Sequence, residues 1–92
     1  MLDLGEIRDK IDGIDRQLVD LFEERMKLCT DVAKYKIETG KKVLDTDREK
    51  AKIEAVSKMV KDPENVHAID DLFSQIMANS RKGQYQLLEA MG

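Results

Sequence analysis

Between Leu4 and about Thr39, apolar residues recur at alternating spacings of three and four, and no proline interrupts them. The stripe Leu4, Ile7, Ile11, Ile14, Leu18, Leu21, Leu28, Val32 and Tyr35 is heptad-like over about five heptads, which predicts one long helix. Between Leu21 and Leu28 the register requires an apolar residue, and the chain has Arg25 there. Asp3 or Glu6 is placed against the positive end of the helix, and Gly40 with Lys41 and Lys42 marks its stop. Gly13 weakens the helix locally by about 1 kcal/mol relative to alanine and leaves room for a close helix approach. A helix of about 36 residues is roughly 54 Å long, whereas a compact globule of this chain length is only about 32 Å across. The helix overshoots its own domain, so the pattern predicts a homodimer in which two copies lie side by side.

Two further helices follow. In Val43-Leu44-Asp45-Thr46-Asp47-Arg48-Glu49, Thr46 and Glu49 have capping-box spacing and Asp45 is an alternative cap. The second helix runs from there through Ala51, Ile53, Val56 and Val60 to the breaker cluster Lys61-Asp62-Pro63-Glu64-Asn65. The third runs from about Val66 to Leu88, with Ile69, Leu72, Phe73 and Ile76 inward, then Ser80 and Gln84 in the same register, then Leu87. Polar residues again occupy apolar slots.

Composition supports an all-helical reading and narrows the chemistry. The 92 residues, 38% charged and 41% hydrophobic with one proline and no tryptophan, form a single expected domain over 1–92 whose own core is marginal without a partner. Sixteen basic and nineteen acidic residues are spread along the chain, leaving no basic patch sized for nucleic acid. No apolar run is long enough to span a membrane, and the N-terminus lacks signal-peptide regions, so a cytoplasmic protein is expected. Cys29 is the single cysteine, which fits a reducing compartment and reads as a packing residue. His67, the one histidine, reads as a surface residue near a helix start, without the neighbours a metal site needs.

On an ideal helix Arg25 and Lys36 lie within about 20° of one azimuth and roughly 16 Å apart along the axis. Burying both costs several kcal/mol unless anions compensate, from neighbouring Asp or Glu residues or from a bound polyanion. Arg8 lies about 25 Å from Arg25 and about 100° around the helix, so it reads either as a solvated surface residue or as one delivered to a partner's site. Ser80 and Gln84 share a helical face, where inward polar side chains of a bundle build ligand sites. Arg48 and Glu49 add a third wall, with Glu49 also a candidate cap.

Arg8 in Ile7-Arg8-Asp9-Lys10-Ile11-Asp12-Gly13-Ile14-Asp15, Arg25 after Glu24, Lys36 in Val32-Ala33-Lys34-Tyr35-Lys36, Asp45-Thr46-Asp47-Arg48-Glu49, and Ser80 with Gln84 together resemble the all-helical chorismate mutases. The resemblance covers about residues 4 to 88. It implies an intertwined homodimer of three-helix chains with two equivalent sites that isomerise chorismate to prephenate, the branch step towards phenylalanine and tyrosine. Arg25 and the partner's Arg8 are then expected to hold the two substrate carboxylates, supported by Arg48 and Ser80. Lys36 and Gln84 are expected to donate to the ether oxygen, and Glu49, with the backbone near Asp45, to bind the ring hydroxyl. The rearrangement is intramolecular and needs positioning and charge stabilisation, with no nucleophile, metal or cofactor.

Gly83, directly before Gln84, departs from good helix chemistry and is expected to loosen the placement of Gln84. The chain ends soon after the third helix, so no fused dehydratase, dehydrogenase or synthase domain is expected, nor feedback through one. Isochorismate pyruvate-lyases share the scaffold but lack the acidic residue after the arginine of the second helix, where this chain has Glu49. A non-catalytic dimeric coiled-coil adaptor accounts for the long seam and leaves inward Arg25, Lys36, Ser80 and Gln84 without a purpose.

Overall fold

The computed structural model describes residues 1–91. Three helices, α1 (Leu4–Thr39), α2 (Thr46–Met59) and α3 (Val66–Met91), with a short 3₁₀ turn at Pro63–Asn65, account for the regular structure of these residues. Asp3 caps α1, its Oδ1 accepting from the N–H groups of Gly5 (2.9 Å) and Glu6 (3.3 Å). At the other end Gly40 takes φ 70°, the left-handed region that glycine enters without steric cost. The N–H of Gly40 then reaches the Ile37 carbonyl (3.4 Å) and that of Lys41 the Lys36 carbonyl (2.9 Å), a Schellman arrangement.

The cap of α2 is Asp45, whose carboxylate accepts from the Arg48 N–H at 3.0 Å. The Thr46–Glu49 capping box does not form: Thr46 is already helical, and the Glu49 carboxylate is engaged by Arg81 of α3. The second helix ends at Met59, one residue short of Val60, and Asp62 caps the 3₁₀ turn through the Glu64 N–H (3.0 Å). The third helix passes through Gly83 unbroken and continues to Met91, beyond the expected end at Leu88, because Glu89, Ala90 and Met91 supply no breaker. A Cβ at Gly83 would sit 3.6 Å from Met26 Cε, an ordinary contact.

Packing is sparse and flat. The chain measures 58 × 26 × 14 Å, one helix thick in its short dimension, and its radius of gyration of 16.7 Å exceeds the value of about 12 Å for a compact chain of this length. α3 is the central element, touching both α1 and α2, while α1 and α2 do not pack on each other. A hydrogen bond from Ser57 to Asp70 ties α2 to α3. The buried apolar residues are Ala33, Val43, Val56 and Met77.

On α1 the side chains shielded from solvent are Phe22, Arg25, Met26, Cys29, Ala33, Lys36 and Ile37. Most of these follow a seam position by one residue, about 100° around the helix. The seam itself, Leu4 to Tyr35, stands 37–62% exposed along its whole length. Residues 4–21 make no substantial packing with the rest of the chain; only Gly13 among them is half-buried. Leu72, read as inward, is 47% exposed, and Met77 takes its place in the core.

Candidate active site

A cavity of about 180 Å³ opens where the second half of α1, the loop after it, the start of α2 and the middle of α3 meet. Its walls carry Arg25, Lys36, Asp45, Arg48, Glu49, Ser80 and Gln84, all but one of the residues singled out from sequence. The exception is Arg8, which is exposed on the unsupported part of α1. One chain therefore does not bring Arg8 to its own cavity.

Two of the cations on the wall, Arg25 and Lys36, are braced by neutral groups. Arg25 Nη1 donates to Ser80 Oγ at 2.9 Å and lies 3.7 Å from Cys29 Sγ. Ser80, itself 6% exposed, donates its O–H to the Ile76 carbonyl at 3.0 Å, so its lone pairs face the guanidinium. Lys36 Nζ donates to the Val43 carbonyl at 2.7 Å, which ties it to the loop that the Gly40 turn creates. An ammonium has three donors, so two remain for another acceptor. Among the described residues no carboxylate lies within ion-pair distance of Arg25, Lys36 or Arg48. The acidic neighbours that sequence left open as their partners are not used.

Gln84 is 8% exposed, and its Oε1 has no hydrogen-bond partner in the protein. A buried amide left this way costs about 1–3 kcal/mol, which a polar ligand in the cavity recovers. Half a turn about the terminal torsion exchanges this oxygen for the NH₂ group, so the same side chain presents a donor to an acceptor in the cavity. At the opposite wall the Glu49 N–H is held by the Asp45 carbonyl (3.0 Å), and its carboxylate pairs with Arg81.

The cavity thus joins five cationic side chains to two carboxylates in a chain of net charge −3. Local sign opposes global sign, the condition under which a cleft concentrates an anion. Sequence reasoning missed Lys52, Arg81 and the cavity-facing side of Cys29. Lys52 was legible as a helical neighbour one turn past Arg48.

Residues 7–85 match the family model described as chorismate mutase type II, a span that includes both Arg8 and Gln84. The chain belongs to the chorismate mutase type II family. It is 34% identical over 91 residues to the chorismate mutase of Methanocaldococcus jannaschii, covering 94% of this chain and 88% of that one. It is 33% identical over 84 residues to the bifunctional chorismate mutase/prephenate dehydratases of Enterobacter agglomerans and Escherichia coli K12. In both cases the match takes in 90% of this chain and only 22% of the bifunctional protein. Among the described residues no helix is long and apolar enough to cross a membrane.

Proposed function

We propose that the cavity binds chorismate and isomerises it to prephenate, and that the working unit is an intertwined homodimer in which each cavity receives Arg8 from the partner chain. The observation that carries this reading is the set of unpaired cations, Arg25, Lys36 and Arg48, converging on one cavity beside the buried, unpartnered amide of Gln84. A small dianion with an ether oxygen supplies what each of these groups lacks. An adaptor surface needs none of them.

Chorismate carries two carboxylates, an enolpyruvyl ether and a ring hydroxyl. In the rearrangement the ether carbon–oxygen bond breaks as a carbon–carbon bond forms from the enolpyruvyl terminus to the ring, and the electrons shift around one six-membered array. No proton leaves or enters. The barrier has two parts: folding the enolpyruvyl arm over the ring, and accommodating negative charge that grows on the ether oxygen. Arg25, aligned by Ser80, and the partner's Arg8 grip the two carboxylates and so fix the folded conformer; the planar guanidinium suits bidentate binding. Arg48 adds positive charge on the same side.

Lys36 and Gln84 meet the ether oxygen. The brace from the Val43 carbonyl fixes the ammonium before substrate arrives, so little reorganisation is needed as charge develops. Glu49 and the backbone at Asp45 take the ring hydroxyl.

Dimerisation is supported by the unpacked seam. An isolated helical arm is marginal in water, and residues 4–21 lack intrachain packing. A second α1 laid antiparallel along the seam covers it and carries Arg8 about 25 Å towards the partner's cavity.

The test is loss of chorismate absorbance on addition of purified protein, with the product identified by acid conversion to phenylpyruvate. Prephenate is expected. A folded dimer that leaves chorismate untouched overturns the reading, and salicylate formed from isochorismate would redirect it to the lyase chemistry.

A further inference from the structure

Arg81 has no part in the roles assigned above, yet it lies on the cavity wall directly after Ser80 and one turn before Tyr85. Its Nη1 donates to Glu49 Oε1, an ion pair that links the middle of α3 to the first turn of α2. The two side chains are 30% and 24% exposed, so solvent screens this pair less than an ion pair on the surface. We propose that Arg81 is a positioning residue for Glu49: it fixes the carboxylate as the acceptor for the ring hydroxyl and cancels its charge against the two carboxylates of the substrate. This inference rests on the chorismate reading of the cavity and deepens it.

Glu49 brings a conflict into the site. An ionised carboxylate is a good acceptor for a hydroxyl proton. The same full negative charge stands in a cavity that has to take up a dianion, and like charges brought together away from bulk water cost affinity. Among the described residues Arg81 is the cation within ion-pair distance of Glu49, although Arg48 and Lys52 line the same wall. The pairing engages Oε1 and leaves Oε2 with its lone pairs for the hydroxyl. It also leaves Arg25, Lys36 and Arg48 to face the substrate with their charge undiminished. Arg81 thereby turns Glu49 from a repulsive group into a locally neutral acceptor.

Steady-state kinetics on chorismate with the wild-type dimer, Arg81→Met, Glu49→Gln, the double variant and Arg81→Lys tests this. Arg81→Met uncovers the Glu49 charge and is expected to raise KM at least about tenfold. Adding Glu49→Gln removes the repulsion, so the double variant is expected to have a lower KM than Arg81→Met alone, whereas a role confined to the fold moves the thermal midpoint and leaves KM in place. Arg81→Lys keeps the charge and should recover most of the loss. Arg81→Gln carries the same comparison should Arg81→Met not fold. A double variant with a KM equal to or above that of the single, or an Arg81→Met enzyme with wild-type KM, overturns the role of Arg81 while the chorismate reading stands. Folded wild-type protein that neither consumes chorismate nor binds a bicyclic dicarboxylate transition-state mimic overturns both.

Discussion

Lys36 carries the sharpest expectation at the scale of single residues, because the contact with the ether oxygen proposed for it would strengthen as charge builds there. Lys36→Ala should lower kcat by about 10²–10³-fold with a much smaller change in KM, the signature of a donor felt mainly in the transition state. Equal activity in stopped-assay kinetics would remove Lys36 from the site. Gln84→Glu is expected to make activity depend on pH in one direction. Only the protonated acid donates to the ether oxygen, so activity should be highest in acid and fall as pH rises through the pKa of the introduced carboxyl; a flat profile would sink the donor role. Arg25, Ser80 and Gln84 were legible in sequence because each puts a polar group in a slot that helical periodicity reserves for an apolar one. Arg81 was not, because a charged residue at the edge of an amphipathic face is ordinary, and only the position of Glu49 in space gives it a partner. Glu49 also misled the cap assignment, since two acids at one helix start are equivalent on spacing, and the pull of Arg81 decides between them.

Among the elements, the turn after α1 links local backbone chemistry most directly to the site. Gly40 holds the left-handed conformation, which lets the loop fold back and present the Val43 carbonyl to Lys36. Gly40→Ala puts a Cβ on a backbone where it costs about 1–2 kcal/mol. The expected outcome is a lower thermal midpoint together with a fall in kcat, because relieving the strain moves the brace of Lys36. A destabilised variant with unchanged kcat would separate the turn from the site. The limits of α1 could be read from sequence since Asp3 and Gly40 are unambiguous cap residues at the two ends of an unbroken period. Its packing could not. The heptad seam is the dominant signal in the chain, yet it is not the face that α3 covers; Met26, Cys29 and Ala33 form a second, weaker stripe beside it. A periodicity argument finds one strong face per helix, and α1 has two.

At the scale of the whole molecule, the flat shape and the bare seam mean that much of the apolar surface needed for stability is unused by one chain. Sequence indicated this through helix length, since a rod longer than its globule has to lie against something else, while the identity of the covering partner is not encoded in any single position. If that partner is a second copy packed antiparallel, each site is composite, and complementation follows from symmetry. An Arg8→Ala chain keeps Arg25 but exports a defective arm; an Arg25→Ala chain exports an intact Arg8 but has a defective cavity. Each homodimer should be nearly inactive. In the mixed dimer the cavity of the Arg8→Ala chain has its own Arg25 and receives Arg8 from the other subunit, so one site of the two is whole. Random exchange of equal amounts makes half of the dimers mixed, and activity should recover to about a quarter of the wild-type level. Mass spectrometry of the mixture establishes that exchange has occurred, after which absence of recovery would refute the sharing of Arg8. Substantial activity in the Arg8→Ala homodimer alone would do the same, because it would show that the dianion is held without an arm from the partner.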